Sequence, residues 1–257
     1  MKLYKAYAKV NIFLKVTGSR GNYHEIISRF MRVESLYDEL CFKPKDEEGF
    51  KIIGNFSCKT EQNTIYKAYK ALKKYTASSS LEKLMKTHAI KVQKNIPAFA
   101  GLGGGSSDAA TYLKMCNEVL HLGLSQNELA RIGLSVGADV PFFIYGYKSA
   151  NVSGIGERVE EFDEEVLSFE VYTPKIEIST PKVYQTYRED FYNPIDGFRA
   201  EELKHTTSLE ILNTMGAEEA NDLFKPALQE YKELKNHYKH GWFFSGSGSS
   251  FFRVKEG

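Results

Sequence analysis

The chain has 257 residues, enough to bury a substantial core as one large domain or two smaller ones. Its 42% hydrophobic and 26% charged content is ordinary for a water-soluble globular protein. With 34 basic against 33 acidic residues the formal charge is +1, which argues against an electrostatic binder of nucleic acid or membranes.

The first nine residues carry lysines where a signal peptide needs an apolar centre, and no apolar run approaches a membrane span, so a cytoplasmic protein is expected. Val10–Val16 alternates partly and stops at Thr17-Gly18, as a strand would. Phe30–Val33 and Glu39–Phe42 read as further strands, with Asp46–Gly49 as a hairpin turn. Asn63–Tyr75 has helical spacing, with Ile65, Ala68, Tyr69 and Leu72 on one face. Ser79 with Glu82 matches a capping box for a second helix, and Ala89–Val92 reads as a strand. A glycine-rich run follows, then a helix from near Ser107 with Ala109, Leu113, Cys116 and Leu120 on the face expected to pack on a sheet. Ser125 and Glu128 form another capping box, for a helix to about Val136. Pro141 is expected to end any helix, leaving Pro141–Ile144 as a strand. Val152–Glu157 reads as a turn near a domain boundary, Phe169–Tyr172 as a strand, and Pro174 and Pro181 as loop residues. Helices are expected near 200–215 and 225–238. The Gly/Ser-rich Ser245–Ser250 reads as a tight turn between strands where backbone approaches another element. Cys41, Cys58 and Cys116 are odd in number and widely spaced, so reduced thiols are expected. His237 and His240 read as surface residues, and no metal-ligand cluster is predicted.

The run Pro97-Ala-Phe-Ala-Gly101-Leu102-Gly103-Gly104-Gly105-Ser106-Ser107-Asp108 is the most informative stretch. Glycine turns backbone N–H groups toward a ligand without a Cβ in the way, and the helix that follows adds unpaired N–H groups and the positive end of its dipole. Together they predict a cradle for polyphosphate. A Walker loop is excluded because no lysine follows the glycines. The dinucleotide pattern fails because Ser106 and Asp108 occupy the positions where its last glycine would fall. Protein kinases need His-Arg-Asp and Asp-Phe-Gly triplets, and the chain has neither.

The glycine run resembles the signature of the GHMP small-molecule kinases. Four further segments narrow the likeness to the 4-diphosphocytidyl-2-C-methyl-D-erythritol kinase family of that superfamily. They are Ala8-Lys9-Val10-Asn11-Ile12-Phe13-Leu14, Tyr23-His24-Glu25-Ile26, Gly137-Ala138-Asp139-Val140-Pro141-Phe142-Phe143 and Gly246-Ser247-Gly248-Ser249-Ser250-Phe251. They occur in the family's order over nearly the whole chain. Two places depart from the pattern. The loop Gly18–Tyr23 is short and lacks an aspartate before Tyr23, and Phe224 stands where many relatives have an acidic residue.

The resemblance implies an α+β fold of two domains with the active site in a cleft between them. The amino-terminal domain, 1–153, would be of ribosomal-protein-S5-domain-2-like type, and the carboxy-terminal domain, 154–257, ferredoxin-like. It implies phosphoryl transfer from ATP, with Mg²⁺, to the 2-hydroxyl of the diphosphocytidyl acceptor in non-mevalonate isoprenoid synthesis. Lys9 and Asp139 are implied as the pair facing that hydroxyl. A carboxylate and an alcohol differ by about 12 pKa units, or about 16 kcal/mol, so the carboxylate is expected to orient the hydroxyl and accept its proton late. Pro97, Gly101, Leu102 and Gly103 to Ser107 are implied at the triphosphate, with Ser106 or Ser107 toward phosphate or Mg²⁺. Asp108 fits either a metal ligand or a charge stabilising the helix's first turn. Lys94 and Asn63 are implied near the nucleotide, although a solvated lysine and a helix cap are the plain alternatives. Tyr23, His24 and Tyr184 are implied around the cytosine ring, Asn11 at the acceptor's hydroxyls, and Gly246 at its phosphates or against the glycine loop. A homoserine- or mevalonate-type kinase and a non-catalytic nucleotide sensor remain as alternative functions. Nothing in the sequence fixes an oligomeric state.

Overall fold

The computed structural model describes residues 2–21 and 23–255; Asn22, in the short loop before Tyr23, lies outside them. The chain divides into two compact units that are interleaved in sequence. Unit 1 comprises 1–8, 36–96 and 104–146, and unit 2 comprises 9–35, 97–103 and 147–257. This partition differs from a single cut after residue 153, because two long strands run through both units. They are β1 (Tyr4–Arg20) and β2 (Tyr23–Pro44). The separate strands expected at 30–33 and 39–42 are thus one element. Alternation is weak along β1 because both faces are buried from Ala8 to Leu14.

In unit 1, β2 pairs antiparallel with β4 (His88–Gln93), Glu39 lying opposite Gln93. The short β3 (Ile52–Ile53) runs parallel to β4. Asp46–Gly49 therefore turns no hairpin: the strand after it pairs with β4, not back onto β2. Helix α1 (Thr64–Thr76) buries Ile65, Ala68 and Leu72 as its spacing predicts. Helix α2 (Ser79–Thr87) is capped by Ser78 rather than Ser79. Ser78 accepts from the Leu81 N–H, and Glu82 pairs with Lys73 instead of closing a box. Helix α3 (Gly104–Val119) begins three residues before the expected start. Helix α4 (Gln126–Leu134) carries the expected Ser125–Glu128 capping box.

Residues 140–145 form helix α5 (Val140–Tyr145), not a strand. Pro141 falls in the first turn, where its missing N–H is one that would have no helical partner anyway. Pro181 does the same at the start of α6 (Thr180–Thr186) in unit 2. No helix among the described residues is long and apolar enough to cross a membrane.

Unit 2 pairs residues 26–31 of β2 with β5 (Ser149–Gly154), which makes a hairpin with β6 (Arg158–Glu161). A second sheet has the order β7 (Phe169–Tyr172), β9 (Phe251–Val254), β8 (Phe243–Phe244), all antiparallel. Helices α6 (Thr180–Thr186), α7 (Gly197–His205), α8 (Ser208–Thr214), α9 (Ala217–Ala220) and α10 (Phe224–Glu230) complete it. Phe224, the departure from the family pattern, is fully buried with its ring 5.0 Å from Phe244 and 5.1 Å from Tyr238. The apolar ring fills this core, where a carboxylate would lose its water. Arg29 is also buried. It is held by Glu164 at 3.2 Å, by the Lys204 carbonyl at 2.9 Å and by the face of Phe162.

Candidate active site

In unit 1 the glycine run ends in the first turn of α3. The N–H groups of the helix's first three residues, Gly104 to Ser106, have no partner inside an α-helix, so starting at Gly104 makes them the donor turn. Gly104 has to be glycine, because a Cβ there would lie 2.9 Å from Ile96 Cγ2. The start of α1 adjoins this turn. Thr64 Oγ1 donates to the Gly105 carbonyl at 2.6 Å, and the Asn63 side chain caps α1 by accepting from the Ile65 N–H at 2.9 Å. Asn63 therefore takes the capping role while standing one residue from the loop's neighbour.

Behind the donor turn lies a group of buried charges. Lys94 donates to Asp108 Oδ2 at 2.7 Å and to Asp38 Oδ2. Asp108 Oδ1 is buried and has no hydrogen-bond partner among the described residues. Burial pushes the Asp108 carboxyl up to about 7, opposed by the Lys94 charge and reinforced by that of Asp38. Burial works against the Lys94 ammonium, but the two carboxylates outweigh it and raise its pKa. Lys94 is thus no solvated lysine. Asp38 was missed by sequence reasoning, since nothing near it signals a partner 56 residues on.

Asp139 occupies the turn before α5 and is only partly buried. Its side chain makes no capping hydrogen bond to that helix.

In unit 2 the spacing Lys9-x-Asn11 places both side chains on one face of β1. Lys9 Nζ donates to Asn11 Oδ1 at 2.6 Å and to the Gly101 carbonyl at 2.9 Å, and lies 4.6 Å from the centre of the Phe30 ring. Neutral oxygens and a ring face thereby replace much of the water that a buried ammonium loses. Asn11 Nδ2 donates to Ser28 Oγ at 2.9 Å. The Leu102 carbonyl accepts from the Lys9 N–H at 3.0 Å, which fastens the glycine run to β1.

The Gly/Ser turn packs on the same run. Ser245 Oγ donates to the Gly101 carbonyl at 3.0 Å, and the Ser250 N–H donates to the Ala100 carbonyl at 3.1 Å. Gly101 has φ +72°, and a Cβ there would sit 2.0 Å from the Ser245 oxygen. Gly246 lies beside Gly101 and Asn11. Asn221 holds the turn by donating to the Phe244 and Gly246 carbonyls, both at 2.9 Å. Pro97 is exposed before the run.

Also in unit 2, a cavity of about 560 Å³ is lined by Tyr23, His24, Tyr184, Gln185 and Arg188 among others. The His24 and Tyr184 rings stack 5.1 Å apart at 21°, while Tyr187 meets His24 edge-on. Tyr23 is 65% exposed where it lines the cavity. Among the described residues, His24 Nε2 is buried with no hydrogen-bond partner. Burial, and then the charge of Arg188, lowers the imidazole pKa below its usual value.

A family model described as the N-terminal domain of GHMP kinases matches residues 63–147. A 4-diphosphocytidyl-2-C-methyl-D-erythritol kinase of Sulfurimonas denitrificans is 74% identical over 100% of this chain and 98% of its own length. The chain belongs to that kinase family, within the GHMP kinases. The Helicobacter pylori member is 43% identical over 98% of this chain and 94% of its own. A crystal structure of a 4-(cytidine 5'-diphospho)-2C-methyl-D-erythritol kinase superposes with a TM-score of 0.74 at 28% identity, covering 100% of this chain and 91% of that one. The homoserine kinase of Cytophaga hutchinsonii, at 16% identity and a TM-score of 0.58 over 99% of this chain and 87% of that one, shares the fold alone. The GHMP kinase family fold, mixed α+β with two sheets, is thus the one the sequence resemblance implied.

Proposed function

We propose that the chain transfers the terminal phosphoryl group of ATP to the 2-hydroxyl of 4-diphosphocytidyl-2-C-methyl-D-erythritol, a step toward isoprenoid precursors. The observation that carries this is the 74% identity, end to end, with a kinase of that name. The contiguous family domains 1–153 and 154–257, and a cytoplasmic location, belong to the same reading.

Phosphoryl transfer asks the protein mainly for positioning and charge stabilisation. The free N–H groups of Gly104 to Ser106, with the Ser106 or Ser107 hydroxyl and the run Pro97–Gly103 beside them, bind the triphosphate. Lys9, held by Asn11 and Gly101, offsets charge on the transferring group. Asp139 orients the acceptor hydroxyl and takes its proton late, as the new phosphorus–oxygen bond forms. Tyr23 and Tyr184 stack on the cytosine, His24 presents a neutral ring edge to it, and Asn11 serves the acceptor's hydroxyls. Lys94 and Asn63 act from beside the nucleotide, and Gly246 steadies the loop.

The fit for a magnesium ion rests on the partnerless Asp108 Oδ1, a hard anionic oxygen beside the Ser106 and Ser107 hydroxyls in sequence. These residues would hold the ion, which when bound neutralises phosphate charge. A coupled assay for ADP release, run with the diphosphocytidyl acceptor and separately with homoserine and mevalonate, tests the reading. Turnover confined to the first acceptor supports it, and turnover only with another would replace it.

A further inference from the structure

Asp38 has no part in the reaction chemistry proposed above, yet it is the buried centre of the group it forms with Lys94 and Asp108. The side chains of Asp38, Asp108 and Lys94 are 0%, 2% and 15% exposed. Asp38 Oδ1 accepts from the Asn95 N–H at 2.6 Å and the Ile96 N–H at 2.8 Å, while Oδ2 accepts from Lys94. One carboxylate therefore reaches α3 by two routes. Through Ile96 it fixes the side chain on which Gly104 rests, at the helix's first residue. Through Lys94 it fixes Asp108, one turn later, at 2.7 Å.

We propose that Asp38 is a positioning residue for nucleotide binding, bracing the first two turns of α3 so that the N–H groups of Gly104 to Ser106 keep one fixed aim. The inference rests on the reading of that turn as the triphosphate site. Donors held in place before the ligand arrives lose no freedom on binding, so weakening either brace lowers affinity without removing a contact to ATP. A purely structural role would instead lower stability and leave affinity alone.

The test is calorimetric titration of the full chain with a non-hydrolysable ATP analogue, at a temperature where every variant is folded. Asp38→Asn keeps an oxygen for the Asn95 and Ile96 N–H groups and removes the charge that holds Lys94; Asp38→Ala removes both braces. Leu81→Ala, a core truncation in α2, calibrates the effect of lost stability alone. Asp38→Asn is expected to weaken analogue binding about fivefold, and Asp38→Ala to weaken it further, with the KM for the acceptor unchanged. Lower melting temperatures with wild-type affinity, as expected for Leu81→Ala, would overturn the inference while leaving the triphosphate site standing. A wild-type chain that binds no analogue would overturn both. If Asp38→Ala fails to fold, the isosteric Asp38→Asn decides the question alone.

Discussion

Asp139 and His24 sit in different chemical surroundings, and each makes a separate prediction. Asp139 is assigned to the acceptor hydroxyl and not to ATP, so its removal should leave nucleotide binding intact. Asp139→Ala is expected to lower kcat by about 10³-fold, the usual weight of a positioned acid–base group, with affinity for an ATP analogue unchanged. Single-turnover kinetics beside a binding titration would check this. His24 titrates below its ordinary 6.5, so between the two values the unfolded chain binds more protons than the folded one. Stability contributed by this group is present above about pH 6.5 and is lost as pH falls through the lower folded value. Denaturation midpoints measured on the acid side should therefore drop less steeply for His24→Phe than for the wild type. At this scale the sequence was informative where spacing is local. Lys9 and Asn11 share a face because strands repeat every two residues, and their 2.6 Å contact follows. Asp38 was illegible, because its partners come from a strand end and a helix far along the chain.

Secondary elements were legible where a local signal had no competitor. The Ser125–Glu128 box is closed as expected, and α1 buries the residues its period selects. Pro141 and Pro181 were misjudged because proline stops a helix from inside but suits its first turn. Ser79 was displaced by its neighbour Ser78, since either hydroxyl can cap and only three-dimensional placement chooses between them. The turn at Gly101 gives a sharp test. Its positive φ and the nearby Ser245 oxygen both exclude a methyl group, so Gly101→Ala should cost at least about 2 kcal/mol of stability. Gly105→Ala places its Cβ 3.3 Å from a threonine hydroxyl, with no positive φ to satisfy, and should cost much less. Urea titration of the two variants side by side would show the contrast.

For the molecule as a whole, motif order revealed the family, but the path of the chain through its two units had no sequence marker. Two strands that read as several short ones carry the backbone through both units, and a long strand buried on both faces loses the alternation that would announce it. Burial also sorts the thiols. Cys58 is exposed whereas Cys41 and Cys116 are buried, with Cys116 pushed up to about 12 by its apolar surroundings. A maleimide reagent should label the native chain once, at Cys58, and label all three thiols only after denaturation, as intact-mass measurement would record.

The chain passes from one unit to the other after residues 8, 35, 96, 103 and 146. A gene fragment ending at Gly146 would encode all of unit 1 yet also carry 9–35 and 97–103, pieces whose packing partners lie downstream. Leu14, Val16 and Ile26, buried in the intact protein in one cluster with Ile178, Val183, Phe244 and Phe251, would then face solvent. Such a truncation should come out of expression as aggregate, and half the polypeptide should not rescue itself by refolding.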